Sequence, residues 1–383
     1  MKFYLLFFSL FIWIQEKHVF TLPRDEVLWA LPQTDEQVEA LQDLLNTTEV
    51  ILWQPVVVEN IERDREIHFY VRASSITSIK GQLRQLAIQH KVLMGDIQGL
   101  IEKQTINDTA SPRSSSSYYE YYHSLKEIYY WMEDIVKVHS DLLQKIYIGS
   151  SYEKRPLYVL KLSKSQEKSK NAIWIDCGIH AREWISPAFC MWFIGHNRLW
   201  RKSRSSHGNS KCIGTDMNRN FDAHWCGQGA SPNECHEIYC GPYPESEPEV
   251  KAVARFIRDH KDSIKAYITM HSYSQLVLFP YSYTRDKSKD HDELESLAKK
   301  AAKAIKRTTN KIYRLGAGAQ TIYLAPGGSD DWAYDLGIKY SFTIELRDTG
   351  TYGFLLPPRE IKPTCLEALS AVKEIAQHVL QNL

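Results

Sequence analysis

The pattern of apolar and polar positions divides the chain into a short apolar start, a small mixed module and a larger domain. The start consists of Lys2 and a largely apolar run of 12 residues from Phe3 to Ile14. Such a run is too short to span a bilayer and is typical of the core of a secretory signal peptide. The alternative, a buried first helix, fits the N-terminal position less well. We therefore expect residues 1–22 to be a signal peptide and the product to be secreted, with no membrane span.

Short strand and helix patterns alternate in the next part of the chain, which contains no cysteine. Period-two or continuous apolar patterns predict strands at Glu26–Leu31, Val50–Val58 and Glu66–Val71. Thr34 is a suitable N-cap for an amphipathic helix that reaches about Leu45, and a second helix is predicted over Ile76–Ile88. A charged helix follows. This pattern predicts a small α+β module of about 80 residues.

A polar stretch, residues 107–117, follows the small module and contains Pro112, a run of serines and a single basic residue, Arg113. Exposed segments of this composition are cut readily by proteases. Cleavage by a trypsin-like protease after Arg113 would separate residues 23–113 from residues 114–383. The second part is long enough to form one enzyme-sized core.

Apolar runs alternate with helical patterns through the second part of the chain. Strands are predicted at Leu143–Ile148, Leu157–Leu162, Ala172–Cys177, Ile264–Met270 and Tyr340–Ile344, and helices at Tyr118–Ser140, Trp184–His196, Asp290–Thr308 and Arg359–Leu380. Buried strands that alternate with helices favour an α/β fold with a mixed, mainly parallel sheet covered by helices on both faces.

Composition excludes some classes of function. The 383 residues contain 47 Lys plus Arg and 46 Asp plus Glu, a formal net charge of +1, so we predict no nucleic-acid partner bound by bulk charge. Sequons at Asn46 and Asn107 fit a secreted glycoprotein but are weak signals. All seven cysteines follow residue 170, and the odd number leaves at least one outside an intrachain disulfide. Their spacing alone leaves the pairing open.

Metal-ligating side chains stand where predicted strands end. His180 follows the strand Ala172–Cys177, with Glu183 three residues later, and His271 follows another strand. Ligands bind at the carboxyl ends of strands in open α/β sheets, and catalytic zinc commonly takes two His and one Glu. A lone His-x-x-Glu is more often a surface pair. The placement at strand ends favours one Zn²⁺ bound by the three side chains.

Three further motifs accompany these ligands. The stretch Asp216–Asn220 combines an amide and a guanidinium, which can grip a carboxylate in bidentate fashion. The stretch Ile322–Asp331 presents a phenol on a Gly-rich loop, and Phe342–Asp348 places Glu345 at a strand end. Taken singly, each motif has a structural explanation: a capped loop, a core tyrosine or a salt-bridged glutamate.

Together the motifs resemble those of a known family. The stretches Gly178–Trp184, Thr215–Phe221, His271–Tyr273 and Thr343–Asp348 look like the motifs of the funnelin metallocarboxypeptidases of the A/B group, in the same order. The resemblance runs from about Glu26 to the C-terminus. It implies a carboxypeptidase-like fold preceded by an activation propeptide that covers the cleft until it is cleaved.

The resemblance also implies a role for each site residue. His180, Glu183 and His271 would hold zinc, Glu345 would act as general base, and Arg201 would stabilise the oxyanion. The residues implied to contact the substrate are Arg182, Asn218, Arg219, Tyr323 and Asp330. Asp330 stands where basic-specific members keep an acidic pocket floor, so we expect substrates with C-terminal Lys or Arg. The implied disulfides are Cys177–Cys190, Cys212–Cys235 and Cys226–Cys240, with Cys365 free.

One feature departs from the family. Glu183 and His271 are 88 positions apart, whereas the family usually has roughly 120, so about 35 residues are missing near His196–Asn197. From Arg198 to about Ser246 no strand-like apolar run is found, although the family has a buried strand there. Loss of such a strand would remove several buried side chains, each of which stabilises the fold by roughly 1.5–3 kcal/mol. Their sum is comparable with the net stability of a domain, about 5–15 kcal/mol.

Two hypotheses therefore compete for the whole chain. The first is a secreted zinc carboxypeptidase zymogen, activated by a trypsin-like protease, that removes C-terminal Lys and Arg from peptides and proteins. The second is a catalytically inactive or misfolded splice form that acts at most through its propeptide. A serine or cysteine hydrolase has little support, since the chain contains no Gly-x-Ser-x-Gly elbow.

Overall fold

A computed structural model describes residues 24–105, 118–163, 171–190, 201–207 and 211–382. The expected signal peptide, the Asn107 sequon, the cleavage position at Arg113 and the junction at His196–Asn197 lie outside the described residues. No helix in the described ranges is long and apolar enough to cross a membrane.

The N-terminal module has one antiparallel sheet covered by helices. Its elements are β1 (Glu26–Leu31), α1 (Asp35–Thr47), β2 (Val50–Gln54), β3 (Ile67–Val71), α2 (Ala73–Gln85), β4 (Gln89–Met94) and α3 (Ile97–Thr105). The strand order is β2-β3-β1-β4. Leu41 of α1 and Leu83 of α2 pack on Phe69 of β3 in a dry core. The α+β prediction is confirmed.

The bounds of β2 and α2 differ from the prediction, and one strand of this module was not predicted. β2 ends at Gln54 rather than Val58, because Pro55 has no backbone N–H to continue the ladder, and a 3₁₀ turn occupies Val58–Asn60. α2 begins at Ala73 and ends before Ile88. β4 was not predicted, since its exposed positions, such as Lys91, dilute the apolar signal.

The C-terminal domain contains fourteen further elements among the described residues. They are α4 (Leu125–Val138), β5 (Leu143–Ser150), β6 (Pro156–Leu162), β7 (Ala172–Cys177), α5 (Ile185–Cys190), α6 (Pro248–His260), β8 (Ile264–His271), β9 (Leu276–Phe279), α7 (His291–Thr309), β10 (Arg314–Ala317), α8 (Gly318–Thr321), α9 (Ser329–Asp335), β11 (Tyr340–Glu345) and α10 (Ile361–Gln381).

Five of these strands form one sheet in the order β10-β9-β11-β8-β7. Every adjacent pair is parallel except β9 and β11, so the predicted mixed, mainly parallel sheet is confirmed. Residues of α5, α7 and α10 form the core on one face. Residues of α6 and α9 pack against the other face, around Tyr267. Helices thus cover both faces, and the carboxyl ends of β7, β8 and β11 lie side by side.

Three predicted helices have different bounds. Tyr118–Ser140 is a 3₁₀ turn at Tyr118–Glu120 and then α4, which begins after a capping box in which Glu127 N–H donates to Ser124 Oγ and Ser124 N–H donates to Glu127. The cap restarts the helix and explains the break. The helix predicted from Trp184 is described only as α5, and α10 follows a separate 3₁₀ turn at Pro358–Glu360.

The hairpin β5–β6 forms a sheet of its own and pairs with no other described strand. Within 201–207 and 211–246, the described backbone contains isolated bridges and a 3₁₀ turn but no strand, as the sequence pattern indicated. The disulfides Cys177–Cys190, Cys212–Cys235 and Cys226–Cys240 are all formed, and Cys365 is free. Two of the three disulfides tie down the irregular segment that precedes α6.

Candidate active site

Three neighbouring strand ends supply the centre of the site. His180 lies on the turn after β7, His271 is the last residue of β8, and Glu345 is the last residue of β11. Glu345 and His271 are register partners in the β11–β8 ladder. The strands are parallel, so their carboxyl ends meet at one edge of the sheet, and the side chains converge there as predicted.

His180, Glu183 and His271 form a buried cluster whose ligand atoms all lie within 4.8 Å of one another. Oε1 of Glu183 lies 2.7 Å from Nδ1 of His180, and its Oε2 lies 3.1 Å from Nδ1 of His271. Two imidazole nitrogens and a carboxylate that converge in this way match the donor set of catalytic zinc. The residues therefore fit the metal that their pattern predicts.

Asp216 is a site residue to which the sequence assigned no role. Its Oδ1 lies 3.0 Å from Nε2 of His180 and accepts the N–H of Asn218 at 3.1 Å. A hydrogen bond to Nε2 leaves the lone pair on Nδ1, which is the arrangement that a metal ligand needs. Burial opposes ionisation, but Arg201 and His180 hold the pKa of Asp216 well below its usual range. Its position two residues before Asn218 was the signal in the sequence from which a role in the site could have been predicted.

Arg201 is fully inside the site. Its Nε and Nη2 donate to Oδ2 of Asp216 at 3.1 and 2.6 Å. Its Nη1 lies 3.5 Å from Nδ1 of His180 and 4.0 Å from Oε1 of Glu183. The guanidinium is thus fixed by a buried carboxylate beside the ligand cluster, where it can donate to an oxygen that develops negative charge.

Glu345 has the properties of a base that works near neutral pH. Burial is the main cause that raises the pKa of its carboxyl to about 8; the charge of Glu183 adds to the rise and His271 opposes it. A carboxylate with such a pKa can take up a proton and release it again without a large driving force. Its position next to His271 in the sheet places it beside the metal ligands.

A second group of side chains lies further along the same cleft. Asn218 and Arg219 belong to a 3₁₀ turn, and Arg219 donates to the carbonyl oxygens of Gly229 and Asn218 at 3.2 and 2.8 Å. Oδ1 of Asn218 accepts the N–H of Ser329 at 3.0 Å. These bonds fix a guanidinium and an amide at the wall of the cleft, a suitable pair for a carboxylate.

Asp330 lies in the first turn of α9 with 4% of its surface exposed. Its Oδ2 accepts the hydroxyl of Thr343 at 2.8 Å. A Cβ at Gly328 would stand 2.9 Å from Oδ1, so the glycine keeps space beside the carboxylate. Among the described residues, no Lys, Arg or His lies within salt-bridge distance of Asp330.

One cavity of about 640 Å³ connects all these groups. Nine of the ten predicted site residues line it, namely His180, Glu183, Arg201, Asn218, Arg219, His271, Tyr323, Asp330 and Glu345. Arg182 is the exception. It is fully buried behind the wall, where its Nη1 donates to the carbonyl of Leu52 at 3.3 Å and its guanidinium lies 4.4 Å from the ring centre of Phe354.

The N-terminal module closes the mouth of the cavity. Residues of its segment Trp53–Glu66 line the same cavity, and Val56 and Val57 pack against Tyr323. Nδ1 of His68 lies 2.9 Å from the hydroxyl of Tyr273. These contacts place the module over the site rather than beside it.

Comparison with known families agrees with this geometry. The profile of the family "Zinc carboxypeptidase" matches residues 128–196 and 195–371, and that of the family "Carboxypeptidase activation peptide" matches residues 28–104. The chain belongs to the zinc carboxypeptidase family. Zinc is the metal of this family, and the cluster of His180, Glu183 and His271 is a possible site for it.

Curated relatives resemble this zinc carboxypeptidase over all or nearly all of its length. Carboxypeptidase B2 of Rattus norvegicus is 57% identical, with 100% of both chains covered, and carboxypeptidase B2 of Homo sapiens is 56% identical, with 96% of both chains covered. A crystal structure of thrombin activatable fibrinolysis inhibitor matches with a TM-score of 0.90 and 52% identity, and it covers 94% of this chain and 100% of the other.

The alignments also locate a difference in length. The comparison with the rat relative runs over 421 positions, whereas this zinc carboxypeptidase has 383 residues, so 38 positions or more are empty in this chain. The family profile matches in two segments that meet at residues 195 and 196. This point lies between β7 and β8 in the chain.

Proposed function

We propose that this chain is a secreted zymogen that, once cleaved, removes C-terminal Lys or Arg from peptides and proteins. Its proposed parts are a signal peptide at residues 1–22, a propeptide at 23–113 and a catalytic domain at 114–383 that is shortened near 196–197. The observation that carries the specificity is Asp330, a buried carboxylate without a described cationic partner in the cavity that holds the metal ligands. A basic side chain would pair with it, whereas an apolar one would leave it unpaired.

The cavity orients a peptide by its C-terminal end. Arg219 and Asn218, with the phenol of Tyr323 across the cavity, bind the terminal carboxylate of the substrate, which restricts cleavage to the last peptide bond. The side chain of the last residue then extends to Asp330. Arg182 touches the substrate only after the propeptide has left, because Leu52 of the propeptide occupies its Nη1.

Each proposed catalytic role follows from a position in the site. Zinc, when bound by His180, Glu183 and His271, polarises the scissile carbonyl and makes a bound water more acidic. Glu345 accepts a proton from the attacking water and passes it to the leaving amine, and its raised pKa suits both transfers. Arg201 donates hydrogen bonds to the oxyanion.

Proteolysis at Arg113 is the proposed activation step. The propeptide covers the cavity through its segment Trp53–Glu66, so a trypsin-like protease that separates it would open the site. The names of the relatives, carboxypeptidase B2 and thrombin activatable fibrinolysis inhibitor, support a role in damping fibrinolysis through the removal of C-terminal Lys and Arg from partly degraded fibrin.

The separate hairpin β5–β6 favours a second candidate, a non-catalytic product that acts through its propeptide alone. One experiment distinguishes the two. The full chain is expressed from secreting cells, cleaved with trypsin, and assayed for arginine release from an N-blocked dipeptide, with and without a zinc chelator. Chelator-sensitive release supports the zymogen. A chain that is secreted and cleaved but inactive supports the second candidate.

A further inference from the structure

The outer edge of β7 is open. In the five-stranded sheet β7 is the last strand, and it pairs with β8 alone among the described strands. None of the residues of β5, β6 and β7 is buried, whereas nearly every residue of β8 and β11 is. The sheet is thus well covered on the side of β11 and poorly covered on the side of β7.

The sequence of β7 is that of a strand with neighbours on both sides. Ala172–Cys177 reads Ala-Ile-Trp-Ile-Asp-Cys, and its one charged residue, Asp176, accepts hydrogen bonds from Thr269 and Trp174 inside the structure. Edge strands usually carry Lys, Pro or a bulge that prevents pairing with another chain. β7 has no Lys or Pro, and its one irregularity of register lies at its start, between Ala172 and Ile173. No described strand pairs with its outer N–H and C=O groups, so they can accept a further strand.

Helix α6 lies beneath the space beside β7. Helix α6 touches β7 through Phe256, whose ring centre lies 5.7 Å from that of Trp174. One turn earlier, Ala252 lies against β5, where its Cβ is 2.9 Å from the place that a Cβ of Gly149 would occupy. The sheet and the hairpin β5–β6 therefore rest on the same helix, although no described strand joins them.

We propose that the outer edge of β7 accepts one extended apolar strand supplied by another polypeptide. The occupant is inferred from the length comparison: this chain leaves 38 or more positions of the rat alignment empty, and the family profile breaks between β7 and β8. A segment of that kind, provided in trans, would pair with β7 and cover its partly buried apolar side chains further. Main-chain hydrogen bonds supply the affinity in such strand addition.

The probe is a fluorescent synthetic peptide with the sequence of rat carboxypeptidase B2 across the positions that this chain leaves empty. It is added to the full secreted chain, and binding is followed by anisotropy and by deuterium uptake. We expect saturable binding at one peptide per chain and uptake at residues 172–177 slowed about tenfold or more, with β11 unchanged. A scrambled peptide should bind at least about tenfold more weakly.

Ile173→Lys puts a charge on the open strand and should weaken binding of the peptide about tenfold or more. Its control is Ile312→Lys, at a position that is 66% exposed and two residues before β10, the strand at the opposite edge of the sheet, and binding should stay unchanged. If the Ile173 variant is not secreted, the comparison between the rat-sequence peptide and the scrambled peptide alone tests the proposal. Equal binding of both peptides, or binding without protection of β7, would overturn the proposal. So would a chain that is already dimeric with β7 protected before peptide is added. These readouts need no catalytic turnover.

Discussion

Replacement of Asp330 by asparagine tests the proposed specificity. Asn keeps the shape of the side chain and its contact with Thr343 but removes the buried charge. Leaving one member of a buried ion pair without its partner costs about 3–5 kcal/mol. At about 1.4 kcal/mol per factor of ten, kcat/KM for arginine release should fall by about two to four orders of magnitude. Release of phenylalanine from the matching dipeptide should hold steady or rise.

The neighbouring Asp331 provides the matched control. It is equally buried, but its Oδ2 accepts the N–H groups of Ser282 and Tyr283, at 2.8 and 3.0 Å, and it does not line the cavity. Burial, followed by the charge of Asp330, raises its pKa well above the usual range. Asp331→Asn should therefore leave the ratio of arginine to phenylalanine release unchanged. Arginine release that survives Asp330→Asn within about threefold would refute the reasoning.

Three further predictions concern the metal, the base and the propeptide. A zinc chelator should lower the Tm of the zymogen, since a bound ligand at 1,000 times its Kd adds about 4 kcal/mol to the free energy of unfolding. An unchanged Tm after removal of the zinc would contradict a contribution of the site to stability. Glu345→Gln should lower kcat about 10²- to 10⁴-fold while zinc content, measured by atomic absorption, stays at one per chain; full activity would exclude Glu345 as the base. Burial lowers the pKa of His68 below its ordinary value of 6.5, although the nearby Glu66 opposes this shift. The contact between the uncharged imidazole of His68 and the hydroxyl of Tyr273 is therefore favoured above about pH 6.5 and weakens as the pH falls below that value. The cleaved propeptide should dissociate faster at about pH 5.5 than at about pH 7.5, and a His68→Phe variant that keeps this difference would assign it to another group.

Sequence patterns predicted the parts of the fold in which local and tertiary signals agree. β7 has the predicted bounds, and β8 and β11 differ from the prediction only in including their terminal His271 and Glu345. Each is a mostly apolar run that ends at or shortly before a side chain that can bind a metal or carry a proton. Because such strands are parallel and buried, their ends are forced to one edge of the sheet, and the placement of the candidate site follows from topology.

Other elements could not be predicted, for different physical reasons. β9 (Leu276–Phe279) has four residues, too few to show a period, and β10 contains Gly316. α6 begins with Pro248, directly after a polar, cysteine-rich stretch to about Ser246 in which the sequence indicated only loop, and the helix was not predicted. Asp216 was missed because its partners, His180 and Arg201, are distant in sequence and meet it only in the folded domain.

The open edge at β7 affects the stability of the domain and the geometry of the site to different degrees. The turn that carries His180 and Glu183 is held from the side of β8: Ser186 accepts the N–H of Gly178 at 3.1 Å and donates to the carbonyl of Met270. Helix α5, which follows that turn, is tied to the end of β7 by a disulfide. None of these contacts involves the outer edge. The apolar side chains of β7 are only partly buried, so the stability that full burial would supply is reduced while the ligand cluster remains assembled. A poorly folding domain and an intact catalytic geometry are therefore compatible in this chain, and activity must be measured per folded molecule.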